Sequence, residues 1–191
     1  TARCTGTFSV GEELDVQVAC GDEVVSACAT DIAAEYANWR LSFTVSVGCN
    51  VEDNLDEFPS IEEVRDSVEC GGSISFTLIA TSYGVNDKEC STARCTGTFS
   101  VGEELDVQVE CGNEVVSACA TDIATEYANW KSSFMVSDGC NVVDNLSAFP
   151  SLATVIDSVE CGGSISFTLI ATSYGVNDKE CSTARCTGTF S

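Results

Sequence analysis

Hydrophobic and polar residues alternate along four stretches of the chain, with the two-residue period of a strand that buries one face. Each stretch places its hydrophobic residues on a single face: Leu14, Val16 and Val18; Leu41, Phe43, Val45 and Val47; Ile74, Phe76, Leu78 and Ala80; and Cys95, Gly97, Phe99 and Val101. These patterns predict four antiparallel strands. The Gly-Glu-Glu sequence after Val101 predicts a turn that pairs the fourth strand with Leu105–Val109.

Two other segments repeat their hydrophobic residues at steps of three and four, the period of an amphipathic helix. The longer predicted helix runs from Asp22 to Trp39, with Asp22 as its N-cap residue. The shorter one follows Pro59, with Ser60 as N-cap and Glu63 completing a capping box. Together the elements predict an α+β domain with about four strands, one long helix and one short helix. An all-β immunoglobulin-like sandwich is the alternative.

The whole pattern recurs with a period of 91 residues. Thr1–Ser91 returns as Thr92–Ser182, and Thr183–Ser191 repeats the first nine residues once more. The two full copies differ only between Ala19 and Arg65 and at the matching positions of the second copy, so the seam between copies is unchanged. Such repetition predicts a tandem array of small domains. A constrained joint between domains and recent gene conversion both account for the unchanged seam.

The chain has 13 cysteines, a density typical of disulfide-stabilised domains from an oxidising compartment. We expect disulfides and not metal-binding thiolates, because no Cys-x-x-Cys motif occurs. Domains spanning residues 10–100 and 101–191, with residues 1–9 completing a preceding repeat, would each hold a full set of cysteines: Cys20, Cys28, Cys49, Cys70, Cys90 and Cys95, then Cys111, Cys119, Cys140, Cys161, Cys181 and Cys186.

This domain frame leaves Cys4 over, and we expect Cys4 to pair outside the chain. The alternative frame, with domains at 1–91 and 92–182, leaves Cys186 over instead. Sequence alone leaves the disulfide connectivity open. We predict the most local pairing in each domain: Cys90–Cys95, Cys20–Cys28 and Cys49–Cys70, repeated as Cys181–Cys186, Cys111–Cys119 and Cys140–Cys161.

Residue content limits the chemistry that the chain can perform. Histidine is absent, which removes the commonest general base and histidine-containing zinc sites. The net charge of −22 is opposite to the basic surface that binds nucleic acid. No apolar run is long enough to cross a bilayer. We therefore expect no enzymatic activity, no cofactor, no nucleic-acid partner and no membrane span in this segment.

Two candidate sites remain on the surface. The densest acidic stretch is a weak candidate for calcium: Glu52, Asp53, Asp56, Glu57, Glu62 and Glu63. The second copy keeps only one of these carboxylates, Asp53, as Asp144. A solvated acidic loop is therefore the preferred interpretation. Asn145-Leu146-Ser147 is an N-glycosylation sequon, so Asn145 is a candidate for a covalent glycan.

These observations favour an extracellular or cell-surface structural protein. We expect disulfide-bonded repeats to follow one another along a fibre, filament or surface stalk, with neighbouring repeats as partners and a strand exchanged between successive units. A secreted multivalent adhesin, lectin or inhibitor is the alternative, with its binding surface in the divergent window from Ala19 to Arg65. A secreted hydrolase using paired carboxylates is a third and weaker alternative.

Overall fold

The computed structural model describes residues 3–12, 14–29, 31–117 and 122–191. The chain divides into two compact units, and neither unit is continuous in sequence. The first contains Thr1–Val24, Asp31–Val64 and Ser73–Ser100, and the second contains Val25–Thr30, Arg65–Gly72 and Val101–Ser191. Both combine helices with antiparallel strands, so the fold is mixed α+β and the all-β alternative is wrong.

The first 101 residues form six strands and two helices among the described positions: β1 (Gln17–Ala19), β2 (Glu23–Val25), α1 (Ile32–Leu41), β3 (Thr44–Ser46), β4 (Val51–Asp53), α2 (Ile61–Ser67), β5 (Gly72–Tyr83) and β6 (Glu89–Val101). The remaining residues form β7 (Gln108–Glu110), α3 (Ile123–Ser132), β8 (Met135–Ser137), β9 (Val143–Asp144), α4 (Leu152–Val159), β10 (Ile165–Tyr174) and β11 (Glu180–Phe190). One sheet has the order β2-β6-β5-β4 and another the order β11-β10-β9; β1 pairs with β3, and β7 with β8.

The long hairpin of β5 and β6 follows the predicted alternation. Leu78 and Ala80 of β5 are fully buried, as is Phe99 of β6, while Thr77 of β5 and Thr96 of β6 are exposed. Threonine hydroxyls pair across the exposed face, with 2.8 Å between the Oγ1 atoms of Thr77 and Thr96. Cross-strand pairs of this kind stabilise a sheet on its solvent side. The third and fourth predicted strands are therefore confirmed.

The strand predicted over Leu41–Val47 is confirmed in its centre. Phe43 is 5% exposed, whereas Leu41 is 78% and Val47 42% exposed. The two exposed positions carry Ser132 and Asp138 in the second copy, because solvent accepts a polar side chain there without loss of core packing.

The long predicted helix is wrong in its first half. Glu23–Val25 forms β2, and α1 begins only at Ile32, where the Asp31 carboxylate accepts the Ala34 N–H at 3.0 Å. Asp22 is not an N-cap: its Oδ1 accepts the Thr98 N–H of β6 at 2.8 Å. Pairing with β6 outweighs the helical periodicity of this segment. Each hydrogen bond to the neighbouring strand satisfies a backbone N–H or C=O group, and the spacing of hydrophobic side chains does not report that gain.

The shorter helix is confirmed together with its capping box. The Ser60 N–H donates to the Glu63 carboxylate at 2.7 Å, and the Glu63 N–H donates to the Ser60 hydroxyl at 3.3 Å. Hydrogen bonds from Ser60, from its backbone first, lower the pKa of Glu63 below its ordinary value. Val64 and Val68 are fully buried, so one face of this segment packs into the core.

The hairpin predicted beyond Val101 does not form. Gln108–Glu110 pairs with β8 and not with β6, with Val109 opposite Val136. Leu105 is 71% exposed. The Gly-Glu-Glu sequence leads the chain onward, because Gly102 and Glu103 make contacts with Val25 and Gly71 within the second unit.

Each unit has an aromatic core built around one tryptophan. Trp39 and Trp130 are each 1% exposed, and their indole N–H groups donate to the carbonyls of Gly21 and Gly112 at 2.9 and 3.2 Å. A buried indole needs such a partner. The aromatic rings packed around them lie at equivalent positions: Tyr36, Phe43, Phe58, Phe76 and Phe99 in the first unit, and Tyr127, Phe134, Phe149, Phe167 and Phe190 in the second.

A glycine in the long hairpin lets this core close. A Cβ on Gly97 would overlap the Gly21 carbonyl oxygen and come within 2.6 Å of the Phe43 ring. Gly188 has the same constraint against Gly112 and Phe134. Both glycines occupy the face that the sequence pattern assigned to the core.

Candidate functional site

The distinctive site of this protein is a junction inside the second compact unit, where segments from both copies of the repeat meet. Val25–Thr30 and Arg65–Gly72 belong to the first copy of the sequence, yet they form part of the second unit. Two disulfides hold these segments there. Cys28 is bonded to Cys140 and Cys70 to Cys181, with Cα–Cα distances of 5.1 and 5.5 Å.

The Cys70–Cys181 bond is surrounded by polar contacts that fix its register. The Val176 N–H donates to the Glu69 carbonyl at 2.9 Å, and the Lys179 ammonium lies 2.9 Å from the Glu69 carboxylate. Both charged side chains are partly exposed, so the ion pair orients the loop more than it stabilises it. Val176 is 7% exposed and supplies apolar burial beside the bridge.

Glycines permit the close backbone approach at the junction. Gly71 has a φ of +110°, and a Cβ there would lie 2.9 Å from the Cα of Glu103. A side chain at Gly175 would overlap the Glu69 carbonyl oxygen. Gly102 continues the contact by donating its N–H to the Val25 carbonyl at 3.0 Å. The Gly71-Gly72 pair is therefore a close-packing position.

The Cys28–Cys140 bond lies beside a partly buried carboxylate. The Cys140 N–H donates to Oε1 of Glu104 at 2.7 Å, and Cys140 is 4% exposed. The other oxygen of Glu104 is buried and has no hydrogen-bond partner among the described residues. The carboxylate holds the backbone that carries Cys140, and thereby positions the second bridge.

Local disulfide pairing is wrong. Cys90 and Cys95 both lie on β6, and a separation of five residues points their side chains to opposite faces about 16 Å apart. The structure instead bonds Cys20 to Cys95 and Cys111 to Cys186. These two bridges are related by the 91-residue period, and each has a Cα–Cα distance of 5.9 Å.

The other predicted local pairs fail because at least one member of each is bonded elsewhere: Cys20–Cys28, Cys49–Cys70, Cys181–Cys186, Cys111–Cys119 and Cys140–Cys161. Cys4, Cys49, Cys90 and Cys161 are exposed. The Cys90 thiol lies 3.4 Å from the Lys88 carbonyl, the same contact that Cys181 makes with Lys179. Cys119 lies outside the described residues. The pairing of Cys4 outside the chain stays a prediction.

No family model matches this chain, and a search of characterised proteins gives no significant match. The function must therefore be inferred from the junction and from the surface.

The acidic stretch has a structural role at its one retained position. Oδ1 of Asp53 accepts the Leu55 N–H at 3.0 Å, and Asp144 does the same for Leu146 at 2.9 Å. Each carboxylate closes a turn, which explains why it persists while its acidic neighbours vary. Within the described residues, no group of three or more acidic or cysteine side chains could hold a metal ion.

The Asn145 side chain is engaged on both sides. Its amide N–H donates to the Thr168 carbonyl at 3.0 Å, and its oxygen accepts the Ile170 N–H at 2.8 Å. Asn54 makes the equivalent bonds to β5 at 3.1 and 2.8 Å. This pairing accounts for asparagine in both copies without a sequon in the first. Glycosylation of Asn145 stays a prediction.

No helix in the described part of the chain is long and apolar enough to cross a membrane. Sequence reasoning found the cysteines, the seam and both faces of the hairpin, but missed the pairing between copies. Had Cys90 been assigned to the same strand as Cys95, the odd spacing would have excluded a bridge between them, because residues five apart on a strand point to opposite faces.

Proposed function

We propose that this protein is a structural subunit of an extracellular fibre, filament or surface stalk, built from tandem disulfide-bonded α+β repeats. The observation that carries the proposal is the pair of bridges in the junction. Cys28–Cys140 and Cys70–Cys181 span 112 and 111 residues, so each bond joins one copy of the repeat to the next.

Such bridges suit a load-bearing array. If a peptide linker alone joined the copies, tension would be transmitted through the fold of each unit. Disulfides between copies add covalent connections that carry tension from one copy to the next. The junction residues from Glu69 to Gly72, together with Gly102 and Glu103, lie in the stretch that is identical in both copies. Constraint on the joint gives a physical reason for that identity, because Gly71 and Gly72 leave no room for a side chain.

The segment 1–9 supports strand exchange between units. Phe8 is 91% exposed, whereas Phe99 and Phe190, at the same position of the repeat, are fully buried. The segment thus has the same sequence as a strand that is buried elsewhere in the protein, but its own phenylalanine is exposed to solvent. We propose that it completes the sheet of another unit, with Cys4 taking the place that Cys95 holds opposite Cys20.

Composition is consistent with this role. Disulfides of this density persist in oxidising compartments outside the cytosol. A net charge of −22 keeps neighbouring filaments apart, so that growth occurs along the array and not sideways.

Electron microscopy of native material tests the proposal. We expect filaments with an axial repeat of roughly 30 Å, the diameter of a compact unit of this size. Filaments should resist mild denaturant in non-reducing buffer and come apart when dithiothreitol is added. Isolated particles without an axial repeat would contradict a structural role.

A further inference from the structure

The second unit carries an open groove of about 530 Å³, which we call the Cys161 groove. Its lining is mainly apolar: Val116, Ile123, Ile156, Val159, Cys161 and Gly162. Ile156 is 43% exposed and Cys161 is exposed, so the groove opens to solvent.

The same sequence positions are covered one repeat earlier. Val25 and Val68 are 7% and 0% exposed, whereas their counterparts Val116 and Val159 are only half-buried. Val25 and Val116 have identical neighbours for two residues on either side, and so do Val68 and Val159. The difference in burial therefore comes from what lies on top of them.

The glycines identify the missing cover. Gly71 lies against the backbone of Gly102 and Glu103, whereas a Cβ at Gly162 would have nothing within 4 Å. The loop Val176–Cys181 completes the cover of the first-copy site through its bond to Cys70 and its contacts with Glu69.

A second copy of these covering segments is exposed on the first unit. Gly11–Glu12 repeats the sequence of Gly102–Glu103, and Val85–Cys90 repeats that of Val176–Cys181. Val85 is 70% exposed, whereas Val176 is 7% exposed in the junction. The chain thus displays an uncovered groove on one unit, and on the other a second copy of the covering loop whose Val85 is exposed.

We propose that the Cys161 groove binds a second copy of this chain, which inserts Val85 and places Lys88 beside Glu160. The geometry is that of the occupied junction, where Val176 is buried and Lys179 lies 2.9 Å from Glu69. The inference deepens the proposed function and rests on it, because it names the partner that an assembling subunit takes.

Such an interface is head-to-tail, since groove and loop are different surfaces of one chain. Interfaces of this kind do not close on themselves unless the rotation returns to its start, and they extend into filaments. The ion pair also reduces the electrostatic repulsion between two strongly acidic chains. Lys88 is one of only 8 basic residues in each chain, so its position beside Glu160 matters for this attraction.

Sedimentation equilibrium of the full chain at physiological salt tests the docking. We expect concentration-dependent association of the wild-type chain. Val85→Asp should weaken it at least about tenfold, because burial of the valine is lost and a charge is placed in an apolar groove. Glu160→Lys should weaken it about fivefold to tenfold through loss and reversal of the ion pair.

A matched control separates docking from folding or general charge effects. Val24→Asp adds the same charge at a valine that is 75% exposed, and its counterpart Val115 is 79% exposed, so it lies outside the interface. This variant should associate like the wild type.

The charge exchange provides the decisive measurement. Lys88→Glu alone should weaken association as Glu160→Lys does, and the double variant should restore it within about twofold. A wild-type chain that stays monomeric to millimolar concentration, or a double variant that is not rescued, would overturn the docking. Filaments that form normally in Val85→Asp would overturn the docking and leave the structural function standing, whereas native material without filaments would overturn the structural function itself.

Discussion

Removal of the Cys70–Cys181 bridge should destabilise the second unit far more than the first. The bond closes a loop of 111 residues. With Cys111–Cys186 intact, the shortest covalent path between the two cysteines is about 46 residues, and the loop entropy lost from the unfolded chain corresponds to about 4 kcal/mol. Stabilisation of that size is a large share of the free energy of unfolding of a small domain.

Each unit has its own fluorescent reporter for the measurement. In a Trp39→Phe background, Trp130 is the only tryptophan, and it is buried in the core of the second unit. The double variant Cys70→Ser/Cys181→Ser should lower the free energy of unfolding reported by Trp130 in guanidinium chloride by about 4 kcal/mol.

The matched control is Cys20→Ser/Cys95→Ser, which removes a bridge inside the first unit. In the same background it should leave the Trp130 transition nearly unchanged. The reasoning is refuted if the junction variant loses less than about 1 kcal/mol, or if both double variants lower the Trp130 transition equally.

Three further perturbations test particular contacts. Gly97→Ala should cost the first unit about 1–3 kcal/mol in chemical denaturation followed by Trp39, because the added Cβ overlaps buried atoms. Gly11→Ala in the same unit, whose Cβ would meet nothing within 4 Å, should behave like the wild type; equal losses would contradict the packing argument. Asn54→Ala should cost about 1–3 kcal/mol because two strand groups lose their partner, and the same assay with Asn54→Asp should recover only the acceptor half. The pKa of Glu63 is lowered in the folded state, so the carboxylate's contribution to stability is fully present above its ordinary pKa of 4.5 and is lost as the pH falls through the folded-state pKa. Thermal unfolding of Glu63→Gln should therefore show a shallower loss of Tm below about pH 5 than the wild type does. An unchanged slope of Tm against pH would exclude the capping box as a source of the acid sensitivity.

Local patterns predicted those elements whose burial is decided within a hairpin or a helix turn. The alternation along Ile74–Ala80 and Cys95–Val101 matched the buried faces of β5 and β6, since a strand paired on both sides keeps its inner face whatever surrounds the hairpin. The Ser60 capping box was also readable, because it needs only residues three apart.

The same reasoning failed where a distant partner outweighed a local preference. Asp22 is a good N-cap residue, yet its carboxylate accepts an N–H from Thr98, 76 residues away. The predicted local disulfide pairing is wrong for the same reason, because cysteines that are close in sequence need not be close in space. No periodicity encodes that Cys70 lies beside Cys181.

Sequence by itself determined the 91-residue period, the cysteine-rich and acidic character, the mixed helix and strand content and the faces of the long hairpin. These properties depend on composition and on neighbours within a few residues. Tertiary structure alone decided which unit each segment joins, because two short segments of the first copy gain their disulfides, glycine contacts and burial only inside the second unit. The junction is therefore visible only in three dimensions, although its residues, apart from Arg65, recur one repeat away along the chain.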